Sequence, residues 1–109
     1  MKVVWSAKAN DQFLKTADCL ENRFGEIIKF KFLIKVYHIV FLLESSPYLG
    51  RIETLLENAP VIYRSLVVNQ NNKIVYYINK DIIEIVAFWD TRREPKSLIK
   101  DLEGSEKKG

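Results

Sequence analysis

The sequence predicts an α+β domain in which a helical hairpin lies to one side of an antiparallel sheet. Apolar residues recur at helical spacing through the first half, and β-branched and aromatic residues crowd three turn-bounded runs in the second. Size agrees with this. The 109 residues, 48% of them apolar, suffice for one core and leave little room for another.

Val3, Val4 and Trp5 form a short β-type run, and Ser6 stands where a helix N-cap is expected. Phe13, Ala17, Leu20 and Phe24 then fall on one helical stripe, with Lys8, Asp11, Lys15, Asp18 and Glu21 on the polar side. Gly25 is a natural stop. A second helix begins near Glu26, where Leu33, Val36, Val40 and Leu43 make a stripe that Phe32 and Ile39 widen. Phe30, Tyr37 and Phe41 lie further round. A helix this broadly apolar is expected to be sandwiched between the first helix and a sheet; a face covered by a partner chain fits the same breadth.

Residues 45–50 are turn chemistry. Residues 51–60, with Ile52, Leu55 and Leu56, suit either a short helical turn or an irregular connector. Three β runs follow, 61–68, 73–78 and 82–89, separated by Gln70-Asn71-Asn72 and Asn79-Lys80-Asp81. They predict an antiparallel meander, which the first strand completes at an edge or between its members. In the last strand Ile83, Ile85, Ala87 and Trp89 are expected to face the helices. Ile82, Glu84, Val86 and Phe88 are expected on a partly open face where a partner could lie. A short C-terminal helix over 96–102 completes a β-α-α-β-β-β-α order. The domain is placed at 1–103, with a flexible tail at 104–109.

Composition excludes several chemistries. Lys and Arg number 17 against 14 acidic residues, a net charge of +3, which permits an anionic partner without demanding one. Cys19 is the single cysteine, so no intrachain disulfide forms, and a lone thiol on a helix is expected to be a buried or half-buried hydrophobe. With His38 also alone, the chain has too few ligands for a zinc cage. His38 is expected on a helix surface or half-buried, and Trp5 and Trp89 as core anchors. No metal or cofactor is expected. The N-terminus lacks the apolar stretch of a signal peptide, and the apolar run 39–43 is far too short to span a bilayer. A cytoplasmic location without a membrane partner is the expectation.

Four segments, in order, resemble the RelE/ParE toxin superfamily, and within it the ParE-like plasmid-stabilisation branch. Val4-Trp5-Ser6-Ala7-Lys8-Ala9 resembles the family's opening strand and Ser-capped helix. Ser46-Pro47-Tyr48-Leu49-Gly50-Arg51 resembles the Pro-x-x-Gly element that closes its helical hairpin. Tyr63-Arg64-Ser65-Leu66-Val67-Val68, with Lys73-Ile74-Val75-Tyr76-Tyr77, resembles its arginine-bearing and tyrosine-bearing strands. Phe88-Trp89-Asp90-Thr91-Arg92-Arg93-Glu94-Pro95 resembles its closing strand and Arg-x-x-Pro exit. The resemblance implies the toxin of a type II toxin–antitoxin system, held in a hetero-oligomer by its antitoxin. It also implies a target: DNA gyrase, inhibited by binding, or ribosome-bound mRNA, cut by an endoribonuclease. A relic that only binds its antitoxin is a further alternative.

Arg64, Arg92 and Arg93 are the candidate site residues, with Lys73 and Tyr77 beside them. Converging guanidiniums hold phosphate bidentately at any cellular pH. In an RNase, Arg64 and Arg92 would be catalytic and stabilise the pentacovalent phosphate, while a Lys or Tyr moves a proton. In a binding toxin all five contact target or nucleic acid. The structural alternatives are an Arg64 paired with Glu84 or Glu57, a solvated Arg92–Arg93 pair, and tyrosines used in packing. RNA-cleaving members of the resembled family carry a functional tyrosine beyond the last strand. Here none follows Tyr77, which tilts the choice toward binding.

Overall fold

The structure is a computed structural model and describes residues 1–106. Its elements are β1 (Lys2–Trp5), α1 (Ala7–Phe24), α2 (Glu26–Ser45), β2 (Arg51–Ile52), a 3-10 turn (Thr54–Leu56), β3 (Tyr63–Asn69), β4 (Asn72–Asn79), β5 (Ile82–Asp90) and α3 (Pro95–Glu106). The α+β expectation holds. Residues 51–60 contain both a short strand and a helical turn. The C-terminal helix runs on past Leu102 to Glu106, and positions 107–109 of the expected tail lie outside the described residues.

Ser6 caps α1 as its side chain suggests, its hydroxyl accepting from the Ala9 amide at 3.0 Å. Gly25 ends α1 and starts α2 at φ 93° and ψ 176°, a conformation essentially reserved for glycine. Lys29 reaches back to Asp18 and Glu21 and ties the hairpin together.

The strand order is β1-β5-β4-β3-β2. β3, β4 and β5 form the antiparallel meander, and β1 joins the sheet at its edge, parallel to β5. Beyond Ile85 that edge of β5 is no longer covered by β1. There the Gln12 side chain accepts from the Phe88 amide at 2.9 Å, so α1 satisfies a donor that would otherwise be left open.

The two faces of β5 are not those that simple alternation gives. A register shift between Val75 and Tyr76 leaves Val86 without a cross-strand partner, so β5 carries a bulge there. Before the bulge Ile83 and Ile85 face the helical hairpin. After it Phe88 does, beside Phe13 and Phe32, while Ala87 and Trp89 turn to the opposite face. That face is not open along its length. Leu98 and Leu102 of α3, with Leu56, pack there on Tyr63, Val75, Ala87 and Trp89. The sheet is therefore covered on both sides.

Two further expectations are corrected. Cys19 is exposed, because it lies on the α1 side facing away from the core stripe. Nor is α2 sandwiched all round. It buries Phe32, Val36 and Leu43 but leaves Ile27, Phe30, Ile34, Tyr37 and Phe41 in solvent. His38 is exposed and Trp89 is a core residue, as expected; Trp5 is half-buried and packs on Phe13 and Phe88.

Candidate functional site

Arg64 lies on β3 opposite Tyr76. Its Nη1 donates to the Gly50 carbonyl at 2.9 Å, and its guanidinium stands 4.9 Å from the centre of the Tyr48 ring. Tyr76 is completely buried; its hydroxyl accepts from the Gly50 amide at 2.9 Å and donates to the Pro47 carbonyl at 2.8 Å. Burial pushes the Tyr76 phenol above its ordinary pKa, against the opposing pull of the Gly50 amide and the Arg64 charge. The segment Pro47-Tyr48-Leu49-Gly50 is thus riveted to the sheet by Arg64 and Tyr76. The carboxylates of Glu57 and Glu84 take no part.

Lys73 sits on β4 with its side chain on the opposite face from Arg64. It forms a half-buried ion pair with Glu53, whose carboxylate also accepts from the Ser65 hydroxyl at 2.7 Å and the Leu55 amide at 3.3 Å. Burial works to raise the pKa of Glu53. Its hydrogen bonds from Lys73 and Ser65, with the Lys73 charge, outweigh that and hold the carboxyl below its ordinary value. Tyr77, on the same face, packs edge-on against Tyr63 with ring centres 5.6 Å apart.

Arg92 and Arg93 lie in the turn after β5. Arg92 forks onto Asp90 with contacts of 3.0 and 2.8 Å, and this pairing leads the causes that lower the Asp90 pKa. Arg93 lies over Trp89 at 4.3 Å from the ring centre and reaches Asp101 at 3.6 Å.

The cations do not converge. Arg64 is level with Tyr76, whereas Asp90 and the arginine turn are level with Asn72, four residues along β4 and roughly 13 Å away at a strand's rise. Arg64 lines a cleft of about 420 Å³ with Tyr48, Ile62 and Lys80. Arg92 lines a different one of about 450 Å³ with Lys15, Cys19, Arg23 and Asn72. Sequence reasoning missed Glu53, which organises Lys73 and Ser65 from the connector. The only hint was a carboxylate between Ile52 and Leu55, two apolar residues of an otherwise ambiguous stretch.

No protein-family model and no curated protein sequence matches the chain. Solved structures do. One chain from the chromosomal ParDE TA system from P. aeruginosa superposes with a TM-score of 0.67 at 16% identity, covering 83% of this chain and 95% of that one. The chain adopts the fold of the RelE/ParE toxins. A YoeB/ParE toxin from Agrobacterium tumefaciens shares the RelE/ParE fold at a TM-score of 0.58 and 18% identity, over 83% and 98% of the two chains. So does a chain of the heterotetrameric YoeB-YefM toxin-antitoxin complex from Staphylococcus aureus, at 0.55 and 17%, over 82% and 94%. Identities this low carry the RelE/ParE fold and not the roles of single residues. Among the described residues no helix is long and apolar enough to cross a membrane.

Proposed function

We propose that the chain is the toxin of a type II toxin–antitoxin pair, neutralised by a cognate antitoxin, and that it acts by binding DNA gyrase. The observation that carries the mode of action is the dispersal of its cations. Arg64 and Arg92 line separate clefts, and Lys73 is held by Glu53 on the other face of the sheet from Arg64. Phosphodiester cleavage needs a charge stabiliser and a proton-transfer group around one phosphate, within hydrogen-bond reach. A binding toxin has no such need. Arg92, Arg93 and the Arg64 cleft are then separate contact points on a surface. The likeness to a chain of a ParDE system supports the ParE-like choice, and the toxin–antitoxin assemblies among the structural neighbours support an antitoxin partner.

A supercoiling assay with purified gyrase tests this. The chain is expected to reduce supercoiling in proportion to its concentration, and Arg92→Ala/Arg93→Ala to blunt the effect. Unaltered supercoiling together with cleavage of ribosome-bound mRNA would replace this proposal with a RelE-like endoribonuclease.

A further inference from the structure

The exposed residues of α2 are not scattered. Ile27, Phe30, Ile34, Tyr37 and Phe41 follow spacings of three, four, three and four, with exposures of 72, 64, 52, 61 and 64%. That is an a/d heptad seam, with Ile27, Ile34 and Phe41 at a and Phe30 and Tyr37 at d. On the helix it lies opposite the buried Phe32, Val36 and Leu43, so whatever covers it stands on the far side of α2 from the sheet. An aromatic side chain carries about 150–250 Å², so at these exposures the five residues present roughly 500–600 Å². Leu14 and Phe24 of α1 and Leu42 of α2 are exposed as well. Roughly 800 Å² per partner is what a standard interface covers.

The seam carries its own partner instructions. β-branched isoleucine at a is compatible with a two-stranded pairing, and charges at e and g set its orientation. In the same heptad frame Glu26 occupies a g position and Lys31 the following e position, the two places that meet between chains in a parallel pair. Both residues are exposed, and neither has an ion-pair partner among the described residues. Together with Ile27 and Phe30 they line a surface hollow of about 350 Å³. In an antiparallel pair centred on Ile34, Lys31 would instead meet the partner's positions near Tyr37 and His38, with no carboxylate there to answer it.

We propose that this face of α2 is a homodimer interface, in which two copies pair with their α2 helices parallel about a twofold axis. Each copy's Ile27, Phe30, Ile34, Tyr37 and Phe41 pack on the same residues of the other, and Glu26 of each reaches Lys31 of its partner subunit. The two sheets stand on the outside. This holds whatever the target of the chain.

Sedimentation of the full chain tests it. The expected result is a species of twice the 12.8 kDa chain mass at tens of micromolar. Ile34→Glu, at an exposed position, should give a monomer with an unchanged circular dichroism spectrum. Lys31→Glu should weaken the pair roughly three- to ten-fold, the scale of exposed ion pairs lost and reversed, and Glu26→Lys/Lys31→Glu should restore it. In a Cys19→Ser background, Ile27→Cys treated with oxidised glutathione should link to its own copy. A monomer at 100 micromolar, or a dimer indifferent to Ile34→Glu, overturns the proposal; the former would leave the seam to a partner helix. Linking only between an Ile27→Cys copy and a Phe41→Cys copy overturns the parallel arrangement.

Discussion

Gly50 and Tyr76 interlock: the Gly50 amide donates to the Tyr76 phenol oxygen at 2.9 Å, and a Cβ on Gly50 would stand 2.8 Å from the same ring. The Ser65 carbonyl, at 2.9 Å, blocks any retreat because it belongs to the backbone of β3. Gly50→Ala should therefore destabilise the fold by about 1–3 kcal/mol, the usual cost of overpacking. Tyr76→Phe keeps the packing but strands the buried Gly50 amide, for about 1–3 kcal/mol. Chemical denaturation of both variants checks the pair, and an effect from neither would mean that the 47–50 segment is not held by the sheet.

The Glu53–Lys73 pair sets a pH dependence that a substitution can flatten. Glu53 is held below its ordinary pKa of 4.5, so its stabilisation is complete above that value and is lost as pH falls through the depressed folded value. In Lys73→Met the cation's hydrogen bond and charge are gone, and burial is opposed only by the Ser65 hydroxyl and the Leu55 amide, so the Glu53 carboxyl rises from its depressed value. Acidification should then cost that variant less stability than it costs the parent protein. The variant's loss near neutrality should be about 3 kcal/mol, the scale for a buried carboxylate robbed of its partner. Melting temperatures from pH 3 to 8 test this, and parallel curves for the two proteins would contradict it.

Gly25 makes a purely conformational prediction. A Cβ there would meet nothing within 4 Å, so any cost of Gly25→Ala comes from its φ of 93° alone. The expected loss is about 1–3 kcal/mol. A neutral result would mean that the α1–α2 connection relaxes into a conformation open to any residue.

These sites also mark how far the sequence could be read. The two helices, the meander and the C-terminal helix were legible because their periodicity or turn chemistry is local. The bulge at Val86 was not, because β5 is apolar on both faces from Ile85 to Trp89 and no polar residue within that run records the shift in alternation. The parallel pairing of β1 with β5 joins segments about 80 residues apart, and nothing in Val3, Val4 and Trp5 names that partner. The candidate arginines were found, but the partner of Arg64 was not. Arg64 is held by a backbone carbonyl, which has no signature in a sequence, and Arg92 by Asp90, two residues away in the same turn. The breadth of α2 was read as burial, since a pattern shows which residues are apolar and not which of them the rest of the chain can reach.

Arg64 and Arg92 should separate in mutagenesis. Arg64→Ala removes a half-buried hydrogen bond and a stacked guanidinium, so it should lower the melting temperature as well as any activity. Arg92→Ala, at an exposed turn, should leave the melting temperature unchanged and weaken target inhibition alone. Thermal melts beside growth assays check the contrast, and a large loss of stability with Arg92→Ala would show that the turn has a structural role.

The most direct test of the central claim is induction of the chain in growing bacteria with pulse labelling of DNA and protein synthesis over the first minutes. A gyrase-binding toxin predicts that DNA synthesis stops first, with the SOS response induced and messages intact. Early arrest of protein synthesis with cut messages would contradict it, as would unimpaired growth at confirmed expression.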